Sequence, residues 1–536
     1  MREGSSALPK EAALVRGLMH ARGITNAPIV PPPTPPDLGR AVERVWRAAK
    51  GKERIGIFGD YDCDGITAAA QMVRYFRRCN REPLVRLPHR VHDGYGLGLA
   101  IADEWIEKGI SLLITVDTGI TAIEAITKLQ QAGIDVIVVD HHHVPEELPP
   151  AYALLHPALT PGFAHPHPSG AGMALLFLQA LERGAWEDMH TDRALAMMGT
   201  VADLVELKGI NRLIVQQGLR SLQDLRSGPL AALRDSVKTG QALTSTDIAF
   251  RIAPRLNAAG RMDDPTLALH ALLEGGVHIA ELNTLNQARR DITGNLVERA
   301  RTDAKKRGTL LMASASADYP HGIIGLIAGT LTEETGCPSI VGAAHGDWIT
   351  ASLRSPHNYH VTEGLERVSH LLHAYGGHRQ AAGCTVQQKH WEKLIASLEI
   401  DITSSLIRAD LCPRIELDGE ICLKDVSMQL ADSLSQLEPF GQGNPEPRFL
   451  LRNTAISDLR RVGDEEKHLQ MRVNGVKGIG FGLGALKTIP EEPLDLVCRI
   501  GINAWQGRRE VQLFVDDLRI SKAIPEQMHE ELRMKN

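Results

Sequence analysis

The residues of this chain best able to do chemistry are acids and histidines that follow short apolar runs. The run at 55–58 leads into Gly59-Asp60-Tyr61-Asp62-Cys63-Asp64-Gly65, the run at 112–116 ends in Asp117-Thr118-Gly119, and the run at 136–139 ends in Asp140-His141-His142-His143. If these runs are strands of one parallel sheet, their carboxyl ends meet at the edge where open α/β sheets bind ligands. Several carboxylates and as many as three imidazoles then share one place. Like charge at that density repels itself unless cations occupy it. An oxygen-rich set with a few imidazoles suits Mn²⁺ or Mg²⁺ better than zinc, which favours sulfur or several histidines. Two such ions about 3.5–4 Å apart, sharing a carboxylate, can activate a water and stabilise the leaving oxygen of a phosphodiester. Taken singly, Asp62 and Asp64 could merely cap the following helix and the histidines could be a solvated turn. Three motifs at three strand ends favour the metal site.

The elements around these motifs support that placement. From about residue 42, apolar runs, including one at 153–155, alternate with helical stretches such as 66–78 and 121–132, the pattern of βαβ units and a parallel sheet. A mainly helical stretch, 191–307, closes with a long charged helix at 280–307, broken by glycine only at Gly294 and able to act as a strut. A second α/β pattern follows, with strands expected at 309–313, 339–342 and 348–353. After about residue 413 the apolar spacing shortens toward period two (415–417, 449–451, 468–473, 496–502, 511–515), which suggests a small β-barrel or sandwich. The Pro-rich segment 28–36 reads as an extended connector behind an N-terminal amphipathic helix. At 536 residues, roughly three to four domains are expected. The divisions fall at 1–40 (helix and connector), 41–275 (first α/β domain), 276–307 (connecting helix), 308–405 (second α/β domain) and 406–536 (β domain).

Composition narrows the class further. No stretch approaches the roughly 18 consecutive apolar residues of a membrane span, and residues 1–23 lack an apolar signal core. The cysteines (63, 79, 337, 384, 412, 422, 498) form no C-x-x-C pair, which argues against a disulfide framework and a zinc site and for a cytoplasmic protein. A net charge of −6 weighs on its face against a nucleic-acid partner. Locally the balance differs: residues 71–90 hold six arginines against Glu82 alone, a surplus of +5, and Arg74, Arg77, Arg78 and Arg81 share one helical face. That face is either a track for phosphates or a solvated surface.

These motifs, in this order, resemble the DHH phosphoesterase superfamily and, within it, the RecJ family of bacterial single-strand-specific 5′→3′ exonucleases. The resemblance is carried by GDYDCDG (59–65), VDTG (116–119), VDHH (139–142) and ADLVEL (202–207, expected to be helical). It continues through PRLNAAGRM (254–262), ASLRS (351–355), GGHRQAAG (376–383) and LEPFGQGNPEPRF (437–449), and spans about residues 22–520. It implies an α/β fold: a DHH catalytic domain, a DHH-associated domain beyond the long helix, and an OB-like β-barrel at the C-terminal end. It also implies that Asp62, Asp64, Asp117, His141 and Asp203 are metal ligands, with Asp117 as the bridge and Asp60 touching a metal or its water. His142 would approach the scissile phosphate, and Asp140 would orient the histidine pair. Asp203, alone in an apolar helix, is reached only through the resemblance. His143 is expected to be an exposed bystander. Phe58 stands where many superfamily members outside the RecJ family have a histidine, and His156 where an asparagine is expected.

For nucleic acid, the resemblance assigns Arg90, ahead of HDGYG (92–96), together with Ser352, Arg354 and Ser355, to a pocket for a 5′-terminal phosphate. Gly376, Gly377 and His378 would approach phosphate, and Arg255, Asn257 and Arg261 would contact the strand from a loop. In the OB-like domain, Trp505 is the candidate for stacking bases, whereas Phe449, Phe481 and Phe514 read mainly as core. The implied activity is Mn²⁺- or Mg²⁺-dependent hydrolysis of single-stranded DNA to mononucleotides in repair and recombination, by a monomer working with a helicase and a single-strand-binding protein. Two alternatives stand beside it. A phosphodiesterase of short oligonucleotides or cyclic dinucleotides would need neither the long helix nor the OB-like tail. A single-strand-binding scaffold would gain nothing from so many carboxylates near phosphate.

Overall fold

Ahead of the first sheet stand α1 (Lys10–Ala21) and α2 (Leu38–Gly51). The parallel sheet that follows has β1 (Ile55–Gly59), β2 (Leu84–Arg86), β3 (Leu112–Val116), β4 (Asp135–Val139) and β5 (Ala153–Leu155), in spatial order β2–β1–β3–β4–β5. A sheet covered on both faces needs apolar side chains at every position, not every second one. Ile57, Ile114 and Ile137 accordingly enter one core, with α2 and α3 (Cys63–Arg78), while Phe58, Leu113 and Val136 enter another, with α4 (Leu99–Glu107) and α5 (Ile123–Gln131). The strand order reverses between β1 and β3, so the carboxyl ends of these two strands flank the crevice where doubly wound sheets bind ligands.

This computed structural model describes residues 10–24, 31–90, 92–94, 96–182, 189–237, 242–406, 415–486, 492–505 and 508–521. The beginning of the N-terminal segment and residues 28–30 of the Pro-rich connector lie outside the described residues.

The helical part comprises α6 (Gly170–Leu181), α7 (His190–Ala202), α8 (Gly209–Asp224), α9 (Pro229–Asp235), α10 (Ser245–Asp247), α11 (Ala253–Met262), α12 (Thr266–Leu273) and α13 (Val277–Arg307). Two expectations are corrected here. ADLVEL is not helical: α7 stops at Ala202, Asp203 caps it, and Leu204 takes a left-handed φ of 60° that turns the chain away. PRLNAAGRM is not a loop but forms α11, with Pro254 in the first turn, where a missing N–H costs nothing. The long helix α13 is a strut, as its length suggested. Its first half places Ile279 and Leu282 in the core of the first domain, and its second half places Val297, Ala300 and Ala304 in that of the next.

The second domain has a mixed sheet of β6 (Met312–Ser316), β7 (Ser339–His345), β8 (Trp348–Arg354), β9 (Leu372–Gly377) and β10 (Ala381–Gln387), in order β6–β7–β8–β10–β9. One face packs on α13 and α14 (Ile324–Thr335), the other on α15 (Val361–Arg367) and α16 (Trp391–Ser405). The C-terminal domain wraps α17 (Met428–Leu434) with β11 (Gly419–Glu420), β12 (Phe449–Thr454), β13 (Ile456–Val462), β14 (His468–Val473), β15 (Val476–Gly480), β16 (Leu494–Trp505) and β17 (Arg508–Ile520). The strand expected at 415–417 does not form. Ile415 and Leu417 are exposed, and pairing with β12 begins only at Gly419. Val15 and Leu18 of α1 join the core of this last domain, and Pro31–Pro35 then lies along the first domain against Leu155, Met173 and Phe177.

The stretch 437–449 bolts the C-terminal domain onto the turn after Asp203. Buried Arg212 donates from Nη1 to the Leu437 carbonyl at 2.9 Å and from Nη2 to the Glu438 carbonyl at 2.6 Å. Ser245 Oγ donates to the Phe440 carbonyl at 2.6 Å, and the Leu207 N–H to the Gln442 carbonyl at 2.8 Å. Gly443 has φ 71°, and a Cβ there would meet the Glu206 side chain at 2.9 Å, so both the turn and the close approach require glycine. Replacing Arg212 with alanine removes charge-assisted bonds and is expected to cost roughly 1.5–3 kcal/mol, read as a lower Tm in thermal unfolding. An unchanged Tm would show that other contacts hold the domains together.

Candidate active site

Motif one leaves β1 at Gly59 and enters α3 at Cys63. Asp62 caps α3, one oxygen accepting from the N–H groups of Asp64 (3.0 Å) and Gly65 (3.2 Å). The capping alternative is therefore true of that oxygen, and the other is left for a ligand. Asp64 is buried and accepts from the N–H groups of Gly170 (2.7 Å) and Ala171 (3.0 Å), in the first turn of α6, where the helix dipole favours an anion. Small neighbours make the room. A Cβ on Gly199 would stand 2.3 Å from Asp64 Oδ1, and one on Gly170 would stand 2.3 Å from Asp117 Oδ1. Asp117, at the end of β3, has a left-handed φ of 59°, a conformation in which Asp is enriched over most side chains.

At the end of β4, Asp140 works as a brace. It accepts from the N–H of Ile120 (2.9 Å), the N–H of His141 (2.7 Å) and Nδ1 of His142 (2.7 Å). Burial alone would raise Asp140, but the hydrogen bond and charge of His142 outweigh it and hold the carboxyl down at about 2. Burial alone would lower His142, yet Asp140 carries it up to about 9, so the imidazole is protonated at neutral pH. His156 is buried behind this loop. Its Nδ1 accepts from the Ala158 N–H at 3.1 Å, so its Nε2 donates to the His142 carbonyl, at 2.8 Å. The histidine that departs from the family pattern thus positions the catalytic loop, and His143 is exposed beside it.

The remaining groups converge. His141 Nε2 lies 3.1 Å from Asp117 Oδ1, 3.7 Å from Asp203 Oδ2 and 3.8 Å from Asp64 Oδ2. Asp60, Asp62 and Asp117 bring oxygens within 4.8 Å of one another, and so do Asp64, His141 and Asp203 their ligand atoms. Burial, then Asp64 and Asp62, pushes Asp117 well above the carboxylate range; burial and Asp62 push Asp60 up to about 8, and burial with Asp64 and Asp62 pushes Asp203 up to about 9. Burial lowers His141 and leaves a neutral imidazole, the form that ligates metal. Asp117 Oδ1 and His141 Nε2 are buried without a hydrogen-bond partner. Orphaned ligand atoms among crowded, destabilised carboxylates fit divalent cations.

Beside this cluster lies an array of opposite sign. The Arg90 guanidinium stacks 4.0 Å from the centroid of the Tyr61 ring. Arg90 and Arg261 from the first domain, with His321, Ser352, Arg354 and Gly376 from the second, line a cavity of about 490 Å³. Among the described residues, Arg90, Arg261 and Arg354 have no carboxylate at ion-pair distance. Arg354 Nη1 instead donates to Ser352 Oγ at 2.9 Å, and Arg90 Nε and His321 Nδ1 are buried without partners. Burial, then Arg90 and Arg289, lowers Arg261 to about 10, and burial lowers Arg354. Guanidinium groups left in that state have the chemistry to hold a multiply charged anion.

Several assigned residues lie outside the cavity or are engaged in other bonds. Ser355 Oγ donates to the Tyr359 carbonyl at 2.8 Å and is spent on that turn. His378 is exposed in the β9–β10 turn, outside the cavity lining, while Gly377 lies in it. Asn257 Oδ1 accepts from the Cys63 N–H at 2.8 Å and so fastens α11 to motif one, and Arg255 Nε donates to Asn283 Oδ1 of α13 at 2.7 Å. The arginines of 71–90 form no track. Arg74 and Arg78 pair with Asp192, Arg77 with Glu82 and Arg86 with Asp93, and Arg81 donates to the Glu53 carbonyl at 3.2 Å, which leaves Arg90 for the cavity. Trp505 ends β16, its backbone opposite Arg508; its side chain lies outside the described residues, as do Gln506 and Gly507. Phe449 is core, but Phe481 is exposed and its ring stacks with that of Phe514. Sequence reasoning missed Gly170, Gly199, Tyr61 and His321. Only Gly170, in a Ser-Gly-Ala-Gly start of a helix, carried a local signal.

Fold and site together define a protein of the DHH family: residues 54–205 match the N-terminal domain of the DHH family, 308–402 the DHHA1 domain and 417–517 the RecJ OB domain. The single-stranded-DNA-specific exonuclease RecJ of Thermus thermophilus is 33% identical over 500 residues, covering 91% of this chain and 72% of that protein, and that of Haemophilus influenzae is 30% identical over 516 residues, covering 89% of each. The chain belongs to the RecJ family. It spans 63% of the length of the Bacillus subtilis member, to which it is 31% identical over 90% of its own length. The crystal structure of Thermus thermophilus RecJ in complex with Mn²⁺ superposes with a TM-score of 0.83 at 29% identity, over 96% of this chain and 76% of that one.

Protons held by Asp60 and Asp203 up to about pH 8 and 9, against an ordinary value of 3.8, favour the metal-free fold at low pH and cease to do so as pH rises through that window. The gain in Tm on adding Mn²⁺ should therefore be larger at pH 9 than at pH 6, and Asp203→Asn, at a partly exposed side chain, should lose most of it while folding normally. A Mn²⁺ shift that ignores pH, or one that survives in Asp203→Asn, would count against the cluster as the metal site.

Proposed function

We propose that this chain hydrolyses single-stranded DNA from the 5′ end to mononucleotides, with Mn²⁺ or Mg²⁺ held by Asp60, Asp62, Asp64, Asp117, His141 and Asp203. The observation that carries the direction of attack is the cavity lined by Arg90, Arg261 and Arg354 beside the carboxylate cluster. A terminal phosphate has more charge and more free oxygens than an internal phosphodiester, so a fork of guanidiniums with Ser352 favours an end. With the end fixed there, the first phosphodiester bond is the one presented to the cluster, and polarity follows from geometry.

Bound at the cluster, the divalent ions would supply an activated water and Lewis-acid stabilisation of the departing oxygen. Asp117, which belongs to ligand groups on both sides of the cluster, is the residue suited to bridge. Protonated His142 is a hydrogen-bond donor for charge developing on the phosphate. Asp140 fixes its ring and His156 its backbone. An apolar groove between the first and C-terminal domains, lined by Leu204, Phe250 and Phe440, starts at the residue after Asp203 and offers unstacked bases a bed; Phe250 is 77% exposed there. Duplex DNA presents no unstacked bases to such a groove. A helicase and a single-strand-binding protein would supply the strand, to a cytoplasmic monomer.

The test offers the protein, with Mn²⁺, single-stranded DNA labelled at either end, beside duplex DNA and a dinucleotide. Mononucleotides released from 5′ ends are expected. Arg354→Ala should slow 5′-phosphorylated strands about tenfold or more, the effect of one charge-assisted contact, and 5′-hydroxyl strands less. Release from 3′ ends or preference for the dinucleotide would overturn the proposal, as would tight binding without cleavage.

A further inference from the structure

Away from the carboxylate cluster, three metal-ligating side chains meet at the corner where the long helix leaves the first domain. His270 and Glu274 stand one turn apart at the end of α12, and Glu274 caps it. Gly275 and Gly276, with φ of 70° and 59°, then reverse the chain and bring His278, in the first turn of α13, to the same side. His270 Nδ1 lies 3.0 Å from one Glu274 oxygen and His278 Nε2 lies 3.4 Å from the other. The two imidazoles are tilted by 30° with centroids 5.3 Å apart, and the ligand atoms of all three residues lie within 4.8 Å of one another. Ligand atoms held at about 2.0–2.1 Å by one tetrahedral ion stand roughly 3.3 Å apart, so little movement is needed to close this set around a cation.

The surroundings agree. His278 Nδ1, on the ring edge away from Glu274, is buried without a hydrogen-bond partner, and the Glu281 carboxylate is 3.6 Å from it. Metal on Nε2 would fix the proton on Nδ1, facing that carboxylate, the usual support for a ligating histidine. Arg77, the neighbouring cation, is engaged by both oxygens of Glu82. Two imidazoles and one carboxylate prefer a borderline transition metal over the hard ions suited to the oxygen-rich catalytic cluster.

We propose that His270, Glu274 and His278 bind a transition-metal ion, Zn²⁺ foremost, which clamps the corner between α12 and the interdomain helix α13. The test uses the full chain stripped of metal, dialysed against Zn²⁺ and analysed for zinc per chain. The doubly substituted His270→Ala, His278→Ala protein should bind one zinc fewer than the unsubstituted chain, and Glu274→Gln should need about tenfold more free Zn²⁺ to fill the same site. Far-UV circular dichroism and the Tm of the metal-free forms should match, since these side chains are partly exposed. Equal zinc uptake by correctly folded variants would overturn the proposal.

Discussion

Negative charge gathered in a space too small to hydrate it is the constraint on which the rest of this structure depends. Asp60, Asp64 and Asp117 are buried, Asp62 and Asp203 crowd against them, and burial with mutual repulsion lifts Asp117, Asp60 and Asp203 out of the ordinary carboxylate range. Left without cations, such a cluster can only take up protons. The fold nevertheless keeps the oxygens together. The first turn of α6 holds Asp64 by two N–H groups, glycines at 170 and 199 leave space for the acids, and Asp140 ties two strand-end loops with four hydrogen bonds. A surface kept ready at that energetic cost makes sense only for a ligand that returns the energy on binding.

The positive half of the site depends on assembly between domains. Arg90 and Arg261 belong to the first domain and Arg354 to the second, and their cavity exists because α13 is packed into both cores. Gly322 closes the joint: a Cβ there would collide with the Arg261 backbone. The C-terminal domain is tied in at another point, through Arg212 and the 437–449 stretch, against the turn that presents Asp203. Carboxylate cluster, guanidinium cavity and apolar groove thus sit on contacts between parts that are far apart in sequence.

What was legible in the sequence follows from how local each cause is. The strand-end acids, the parallel sheet and the long helix are set by apolar runs, helix periodicity and motifs within a few residues, and all are found. Arg74 and Arg78 show the opposite case. Their partners Asp192 and Glu182 lie about a hundred residues away, so the neutralisation of that part of the local charge surplus could not be seen. Arg261 was singled out by its motif but its helix was not, because Gly260 and the two preceding alanines mask the periodicity; Gly260 is where the Tyr61 carbonyl comes within 2.6 Å of a would-be Cβ. Ser355 and Asn257 are polar residues inside recognised motifs that turn out to satisfy backbone groups, a distinction only tertiary contacts can make. The net charge of −6 likewise averaged a carboxylate cluster against cations spread over the whole chain.

The most direct test of the central claim is a crystal structure of the chain with Mn²⁺ and a short 5′-phosphorylated single strand, with manganese located by its anomalous scattering. Anomalous peaks among Asp60, Asp62, Asp64, Asp117, His141 and Asp203, with the terminal phosphate between Arg90, Arg261 and Arg354, are expected. Manganese bound elsewhere, or a 5′ phosphate outside the guanidinium cavity, would contradict the account.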